Sequence, residues 1–323
     1  MLIERVEKAL ELSEKSQDRK LILGWSAGPD STALMDLLFH LQKKYQFRLS
    51  LLHINFGLRG QESQDDEDFC RAEARKRDLN LIVHRVPEKH WKGAAVQETA
   101  RQIKLELSSR VLPDWDWVEA HHADDQLETF LFRLFRGSGL HGLGCMREKS
   151  IRSGRSLFRP FLQVKKAEIQ NYLKENFLNF RQDRSNESDV YDRNFLRLQI
   201  LPKLKERFPN LHESIFRLQD QIREEDVFFD EMIREQKEIL QKENSELFLQ
   251  RSKIRELSKP LRFRFYHQFF SKSLGLNLSR AQIQTFDAAI MGEGPVSFNA
   301  PKGIIIRSEK SKNRALERLK IDF

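Results

Sequence analysis

Four times in its first 136 residues the chain passes from a short apolar run through a turn into a segment whose apolar residues recur at helical spacing. Leu21–Trp25 leads through Ser26–Ser31 into Thr32–Leu41. Leu49–Asn55 precedes a charged helix over Glu62–Asp78, Leu79–Val86 a helix near Val96–Leu112, and Trp117–His122 a helix over Asp124–Arg136. Strands alternating with helices predict an α/β fold with a parallel sheet covered on both faces. In open sheets of that kind, ligands bind beyond the carboxyl ends of the strands. The unusual residues lie at those ends: Ser26-Ala27-Gly28-Pro29-Asp30-Ser31 after the first strand, His53, Asn55 and Gly57-Leu58-Arg59-Gly60 after the second, and His121-His122-Ala123-Asp124-Asp125 after the fourth.

Charge divides the rest of the chain. Between Glu213 and Gln250 there are 5 Lys/Arg against 11 Asp/Glu, whereas from Arg251 to Phe323 there are 15 against 6, more than the whole surplus of +8. The acidic stretch predicts one long helix, with Leu211, Ile215, Leu218, Ile222, Phe229 and Ile233 on a single stripe. It reads as a connector, which sets the expected domains at 1–211 and 212–323 (helical connector and small basic α+β domain). A basic balance favours an anionic partner such as nucleic acid or phosphate. No apolar run is long enough for a membrane helix and MLIERVEKAL is not a signal core, so a cytoplasmic protein with no membrane partner is expected. Cys70 and Cys145 each stand alone, which excludes a disulfide framework and a CxxC redox or metal pair.

A loop of small residues that closes a strand and opens a helix aims backbone N–H groups and the positive end of the helix dipole at one point, which makes an anion site. Ser26–Ser31 has that form. Pro29 suits a first helical turn, and Asp30 or Ser31 can cap its amides, so the same six residues also fit an ordinary capped helix start. There is no GxxxxGK[ST] and no GxGxxG, which excludes a P-loop lysine and a dinucleotide fingerprint. His121 and His122 have neither a nearby cysteine nor HExxH spacing, which disfavours zinc.

These residues resemble a known family. Ser26-Ala27-Gly28-Pro29-Asp30-Ser31 is similar to the SGGxDS pyrophosphate loop of the N-type ATP pyrophosphatases, and the match is closer to one branch, the bacterial tRNA(Ile)-lysidine synthetases. His53–Gly60 resembles that family's HVNHGLRG, and His121–Thr129 its HHADDQAET. Arg136–Leu143 resembles RGSGLRGL, and Arg159-Pro160, Glu168-Ile169 and Asp183-Arg184-Ser185-Asn186 resemble RPLL…EI…DPSN. Ala27 stands where the motif has its first glycine, a replacement that is tolerable where φ is negative. Phe56 replaces a histidine, and Arg193-Asn194-Phe195-Leu196-Arg197 resembles RNxIR.

The resemblance implies a PP-loop ATP pyrophosphatase domain. In it, ATP adenylates the wobble cytidine of an isoleucine tRNA with a CAU anticodon, and free L-lysine then displaces AMP. On that reading Ser26, Ala27, Gly28, Pro29, Asp30, Ser31, His53 and His121 bind ATP. Asp30 and Asp125 are catalytic and hold Mg²⁺, Arg101 is a third catalytic candidate that contacts phosphate, and Arg193 and Arg197 bind tRNA. Asp124 is left as a helix cap and Glu128 stands behind the metal ligands. Lys310, Lys312 and Arg314, in the basic tail, are expected to grip tRNA phosphates while Phe263 and Phe265 form core. The sequence leaves a homodimer open. A tRNA thiolase would need reactive cysteines and an amide-forming relative a glutaminase domain, while a tRNA-binding protein without catalysis has only Ala27 in its favour.

Overall fold

The computed structural model describes residues 2–91, 96–182, 192–243, 246–308 and 318–322, so Asp183–Asn186, Lys310, Lys312 and Arg314 lie outside the described residues. The chain divides into two compact units, Met1–Asp220 and Gln221–Phe323. Among the described residues no helix is long and apolar enough to cross a membrane.

In the first unit, helix α1 (Leu2–Ala9) precedes β1 (Lys20–Gly24), α2 (Pro29–Tyr45), β2 (Arg48–Asn55), α3 (Gln61–Lys76), β3 (Asn80–Arg85), α4 (Val96–Arg110), β4 (Asp116–Val118) and α5 (Ala123–Phe135). The short α6 (Leu140–Leu143), a hairpin of β5 (Lys149–Arg152) and β6 (Arg155–Phe158), and α7 (Lys166–Glu175) follow. The sheet runs β3-β2-β1-β4-β6-β5, parallel throughout except for β5. The predicted strand–helix alternation is present, but the fourth strand stops at Val118, so Glu119–His122 form a connection at its carboxyl end.

Strand β1 is buried on both faces, as an apolar run inside a parallel sheet must be. Leu21 and Leu23 share one core with Leu34, Leu37, Leu38 and Leu41 of α2. Ile22, on the opposite face by strand alternation, packs with Leu52, Leu107, Trp117 and Leu157. β1 pairs with β2 on one side and β4 on the other, so chain order reverses between β1 and β4. That reversal leaves a crevice at the strands' carboxyl ends, flanked by residues 25–31 and 119–125.

After α7 come α8 (Asp192–Phe195), a π-helical turn over Leu196–Ile200, α9 (Leu201–Arg207) and the long α10 (Leu211–Glu235). The predicted stripe on α10 includes Ile222 and Ile233, both buried. The division between the units falls inside α10, at Asp220.

The second unit carries an antiparallel sheet ordered β7-β8-β11-β10-β9, from β7 (Leu240–Glu243), β8 (Glu246–Gln250), β9 (Ser297–Asn299), β10 (Ile305–Ser308) and β11 (Arg318–Asp322). Helices α11 (Arg251–Glu256), α12 (Lys259–Gln268) and α13 (Arg280–Met291) complete it. Phe265, Tyr266, Phe269, Phe270, Phe286 and Phe298 form its aromatic core, with Phe263 packed against it. Several of its cations have protein partners. Fully buried Arg251 donates to the carbonyls of Ala289, Ile290, Gly292 and Gly294, which satisfies the orphan acceptors at the end of α13 and complements its dipole. Arg255 also donates to Ile290, at 2.9 Å. Arg262 pairs with Asp287 at 2.8 Å, and Arg264 with Asp226 at 2.5 Å and Asp230 at 2.7 Å.

Candidate active site

The loop after β1 turns directly into α2. Gly28 is the N-cap (φ −69°, ψ 167°), Pro29 occupies the first turn, and no described side chain caps that turn. Asp30 and Ser31 therefore do not serve as the caps the sequence suggested. The Ser31 hydroxyl accepts the Ser26 N–H at 3.2 Å and donates to the Gly28 carbonyl at 3.2 Å, bracing the loop across its base. Amides at a helix start with no side-chain cap are the groups an anion takes up.

Ala27 corrects a second expectation. Its φ is +64°, not negative, and it is fully buried. The left-handed conformation costs a residue with a Cβ about 1–2 kcal/mol. Gly28, by contrast, sits at a φ open to any residue. Ala27 is held by its carbonyl, which accepts the Arg181 N–H at 2.9 Å and the Thr32 hydroxyl at 3.2 Å.

The loop after β4 brings the second group. His122 is the N-cap of α5: its Nδ1 accepts the Asp124 N–H at 3.2 Å, and the Asp125 carboxylate reaches back to accept the His122 N–H at 2.9 Å. With Nδ1 accepting, the ring proton is assigned to Nε2, which lies 3.7 Å from Asp30 Oδ2 and 3.7 Å from Asp125 Oδ2. The other Asp125 oxygen accepts from Arg197 at 3.2 Å, and Arg197 also grips Glu128 with two hydrogen bonds, at 2.6 and 2.9 Å. Arg197 lies in the π turn, a local widening common at functional sites.

Environment splits the two aspartates. Burial, reinforced by the Asp125 charge and opposed by His122, raises the Asp30 carboxyl above its ordinary value. Burial acts the same way on Asp125, but His122, His121 and Arg197 outweigh it and hold that carboxyl below its usual value. Asp30 Oδ1 is buried without a hydrogen-bond partner among the described residues. An orphaned carboxylate oxygen beside a second carboxylate suits a hard divalent cation. No group of three His, Cys, Asp or Glu among the described residues could hold a metal by itself, so the remaining ligands would come from phosphate and water, as is usual for Mg²⁺.

Other predicted residues are distributed as follows. Asp124, expected to cap, instead pairs with His212 at 2.6 Å and Lys205 at 2.7 Å, while Asp125 completes the cap. Buried His53 has its Nδ1 3.0 Å from the Trp25 carbonyl and its Nε2 without a hydrogen-bond partner among the described residues, and burial lowers its pKa. His121 is anchored 3.2 Å from Glu119. Burial disfavours the Glu119 charge, yet His121, Arg159 and Arg152 hold that carboxyl far below its usual range.

Arg101 is not drawn into the cluster. Its side chain is 75% exposed on α4 and pairs with Glu98 at 3.5 Å. Arg193 donates to the Thr129 hydroxyl at 3.1 Å and lies over the Phe132 ring. Arg197, placed on tRNA by the sequence, is instead engaged by the site carboxylates. Sequence reasoning missed the bridging position of His122, and Lys205 and His212 altogether. The doubled histidine of the motif is a signal for the first; nothing local marks the other two, which meet Asp124 only through the fold.

A crevice at a topological switch point, an uncapped helix start and a carboxylate pair define a nucleotide-handling site of the PP-loop class, and the PP-loop domain model matches residues 2–204. The chain belongs to that family. Within it, the chain is similar to the tRNA(Ile)-lysidine synthase of Histophilus somni (strain 129Pt), 36% identical over 229 residues, covering 70% of this chain and 53% of that protein. It is also similar to that of Vibrio vulnificus (strain YJ016), 32% identical over 272 residues, covering 84% and 62%. The chain thus spans about half the length of the first of these relatives. Among solved structures, the U34-tRNA thiolase NcsA from Methanococcus maripaludis, described with its [4Fe-4S] cluster, superposes with a TM-score of 0.56 at 16% identity, covering 68% of this chain and 77% of that one, a likeness of fold alone.

Proposed function

We propose that the chain is a tRNA(Ile)-lysidine synthase, joining lysine to the wobble cytidine of a CAU-anticodon isoleucine tRNA at the expense of ATP. The observation that carries this reading is the meeting of Asp30 and Asp125 across His122, beside the uncapped start of α2. On this reading the ATP phosphates lie against the Ser26–Ser31 loop, with its amides oriented toward them and Ser31 keeping the loop in shape.

The cytidine ring carbonyl oxygen attacks the α-phosphorus, the α–β anhydride bond breaks and pyrophosphate leaves. The lysine side-chain amine then attacks the activated ring carbon, gives up a proton, and AMP departs with the former carbonyl oxygen. Asp30 and Asp125 would hold Mg²⁺, which when bound neutralises charge developing on the bridging oxygen. Arg197 and the His122 N–H keep Asp125 ionised and oriented. A thiolase reading is disfavoured: Cys70 is buried and its thiol pKa is raised far above the ordinary value by that burial.

The test is nucleoside mass spectrometry of a CAU-anticodon isoleucine tRNA after incubation with the protein, ATP, Mg²⁺ and lysine. Lysidine is expected in the complete mixture and absent when either ATP or lysine is left out. Unmodified cytidine in the complete mixture would overturn the reading.

A further inference from the structure

We infer that Arg181 is a positioning residue that holds the phosphate-facing loop in its strained form, and this rests on the nucleotide reading of that loop. Arg181 follows α7 and lies 154 positions beyond Ala27 in sequence. Its backbone N–H donates to the Ala27 carbonyl at 2.9 Å, and its Nε donates to Asp66 Oδ1 at 2.8 Å. The other Asp66 oxygen accepts from Arg59 at 2.6 Å, in the Gly57–Gly60 turn after β2. Asp66 on α3 is therefore a post to which both the segment above Ala27 and the second strand-end loop are tied.

The consequence follows from peptide geometry. The Ala27 carbonyl and the Gly28 N–H belong to one planar unit and point in opposite directions. Holding the carbonyl toward Arg181 and Thr32 aims the Gly28 N–H away from them. Ala27 relaxes to a negative φ if released, because its Cβ makes the left-handed conformation unfavourable, and that relaxation reorients the peptides on either side. A glycine there has no such preference. The Arg181 side chain is engaged by Asp66 and Asp65 rather than by the Asp30–Asp125 pair; it anchors the N–H that compensates for alanine at this position.

The experiment compares wild type, Arg181→Gln, Ala27→Gly and the double variant, each titrated with ATP and Mg²⁺ by calorimetry and unfolded in urea. Arg181→Gln is expected to weaken ATP binding about tenfold (about 1.4 kcal/mol). The same change in the Ala27→Gly background is expected to weaken it by no more than about twofold. In urea the sign of the coupling reverses. Arg181→Gln costs more when residue 27 is glycine, by about fivefold in the folding equilibrium, since no strain is then released.

Asp66→Asn, which loosens the same anchor from the other side, is expected to repeat the binding pattern, so the inference does not depend on one variant folding. Equal losses of binding in the two backgrounds, or none in either, would overturn the strap. A wild-type chain that binds no ATP overturns the nucleotide reading, and the unfolding cycle, which uses no ligand, then decides the strap by itself.

Discussion

Asp30 and Asp125 face each other across one imidazole: Nε2 of His122 lies 3.7 Å from a carboxylate oxygen of each. The arrangement places two like charges close together and separates their affinities for protons, Asp30 above and Asp125 below the ordinary value. Asp125 has its oxygens held by the His122 N–H and Arg197, while Asp30 keeps a buried oxygen without a hydrogen-bond partner among the described residues. The pair is thus one carboxylate with both oxygens held and one with a single oxygen, Asp30 Oδ1, open to a partner from outside the described residues.

Replacing either aspartate by alanine is expected to reduce ATP-dependent pyrophosphate release by at least about a hundredfold, the scale of losing one preorganised electrostatic group. Folding and much of the tRNA affinity should survive. Near-normal pyrophosphate release by Asp125→Ala would remove it from the site.

Gly28→Val is expected to weaken ATP binding more than Ser26→Ala. The reason is space rather than backbone angle, because Gly28 has φ −69° and a Cβ built there would meet Ser26 Oγ at 3.4 Å. Valine's extra methyl groups would crowd the loop, whereas Ser26→Ala removes a hydroxyl that bonds Ser31 Oγ at 3.1 Å and the Gly28 N–H at 3.4 Å but leaves the backbone cradle its space. Calorimetric titration with ATP ranks the two; the reverse order would favour hydroxyl contacts over a backbone cradle.

Glu67 is fully buried at the base of the second strand-end loop. Hydrogen bonds from Arg85 above all, with Asn55 and Arg71 adding to them against burial, push its carboxyl down to about 2 from the ordinary 4.5. A carboxyl whose pKa is depressed on folding stabilises the folded state above the unfolded value, and that stability is lost as pH falls through the folded value. Urea unfolding of the wild type should therefore show a loss between pH 4.5 and 2. Glu67→Gln should flatten that interval and cost about 1–3 kcal/mol at neutral pH through lost charged hydrogen bonds. An unchanged acid limb in the variant would assign the loss to other carboxylates.

What the sequence made legible was whatever depends on local pattern. Leu21-Ile22-Leu23 reads as a strand because a central parallel strand must be apolar on both faces, and residues 26–31 read as a strand-to-helix loop because small residues and Pro29 suit nothing else so well. The β5–β6 hairpin was not read from the sequence, although Ser153-Gly154 between its short strands is a turn signal: both residues have positive φ, at 50° and 80°, as a two-residue type I′ turn requires. Other features were hidden because they arise from tertiary contact. That Asp125 rather than Asp124 completes the cap of α5 goes with the pairing of Asp124 to Lys205 and His212, about eighty positions away. The φ of Ala27 depends on what holds its carbonyl, and the capping role of Arg251 was hidden because the end of α13 that it caps is distant in sequence.

The last prediction concerns how the second unit would hold tRNA. Arg251, Arg255, Arg262 and Arg264 make hydrogen bonds or ion pairs inside the unit, and Arg307, Arg318 and Lys320 pair with Asp322, Glu243 and Glu246. A cation already matched to a carboxylate or a helix end gains less from a phosphate than one whose charge is uncompensated. Lys310, Lys312 and Arg314, outside the described residues, supply three cations within five positions, with the acids Glu309 and Glu317 on either side of them in sequence. Phosphate contacts position a nucleic acid without reading its sequence, and each one lost lowers the slope of log affinity against log salt by about one unit. Replacing all three by alanine is therefore expected to raise the KM for tRNA, leave that for ATP unchanged, and reduce the salt slope by up to about three units. Arg251→Ala, by contrast, should lower the stability of the unit before it touches the salt slope. The measurement is a tRNA titration at several salt concentrations, and a triple variant whose slope equals that of the wild type would return these residues to solvated surface charge.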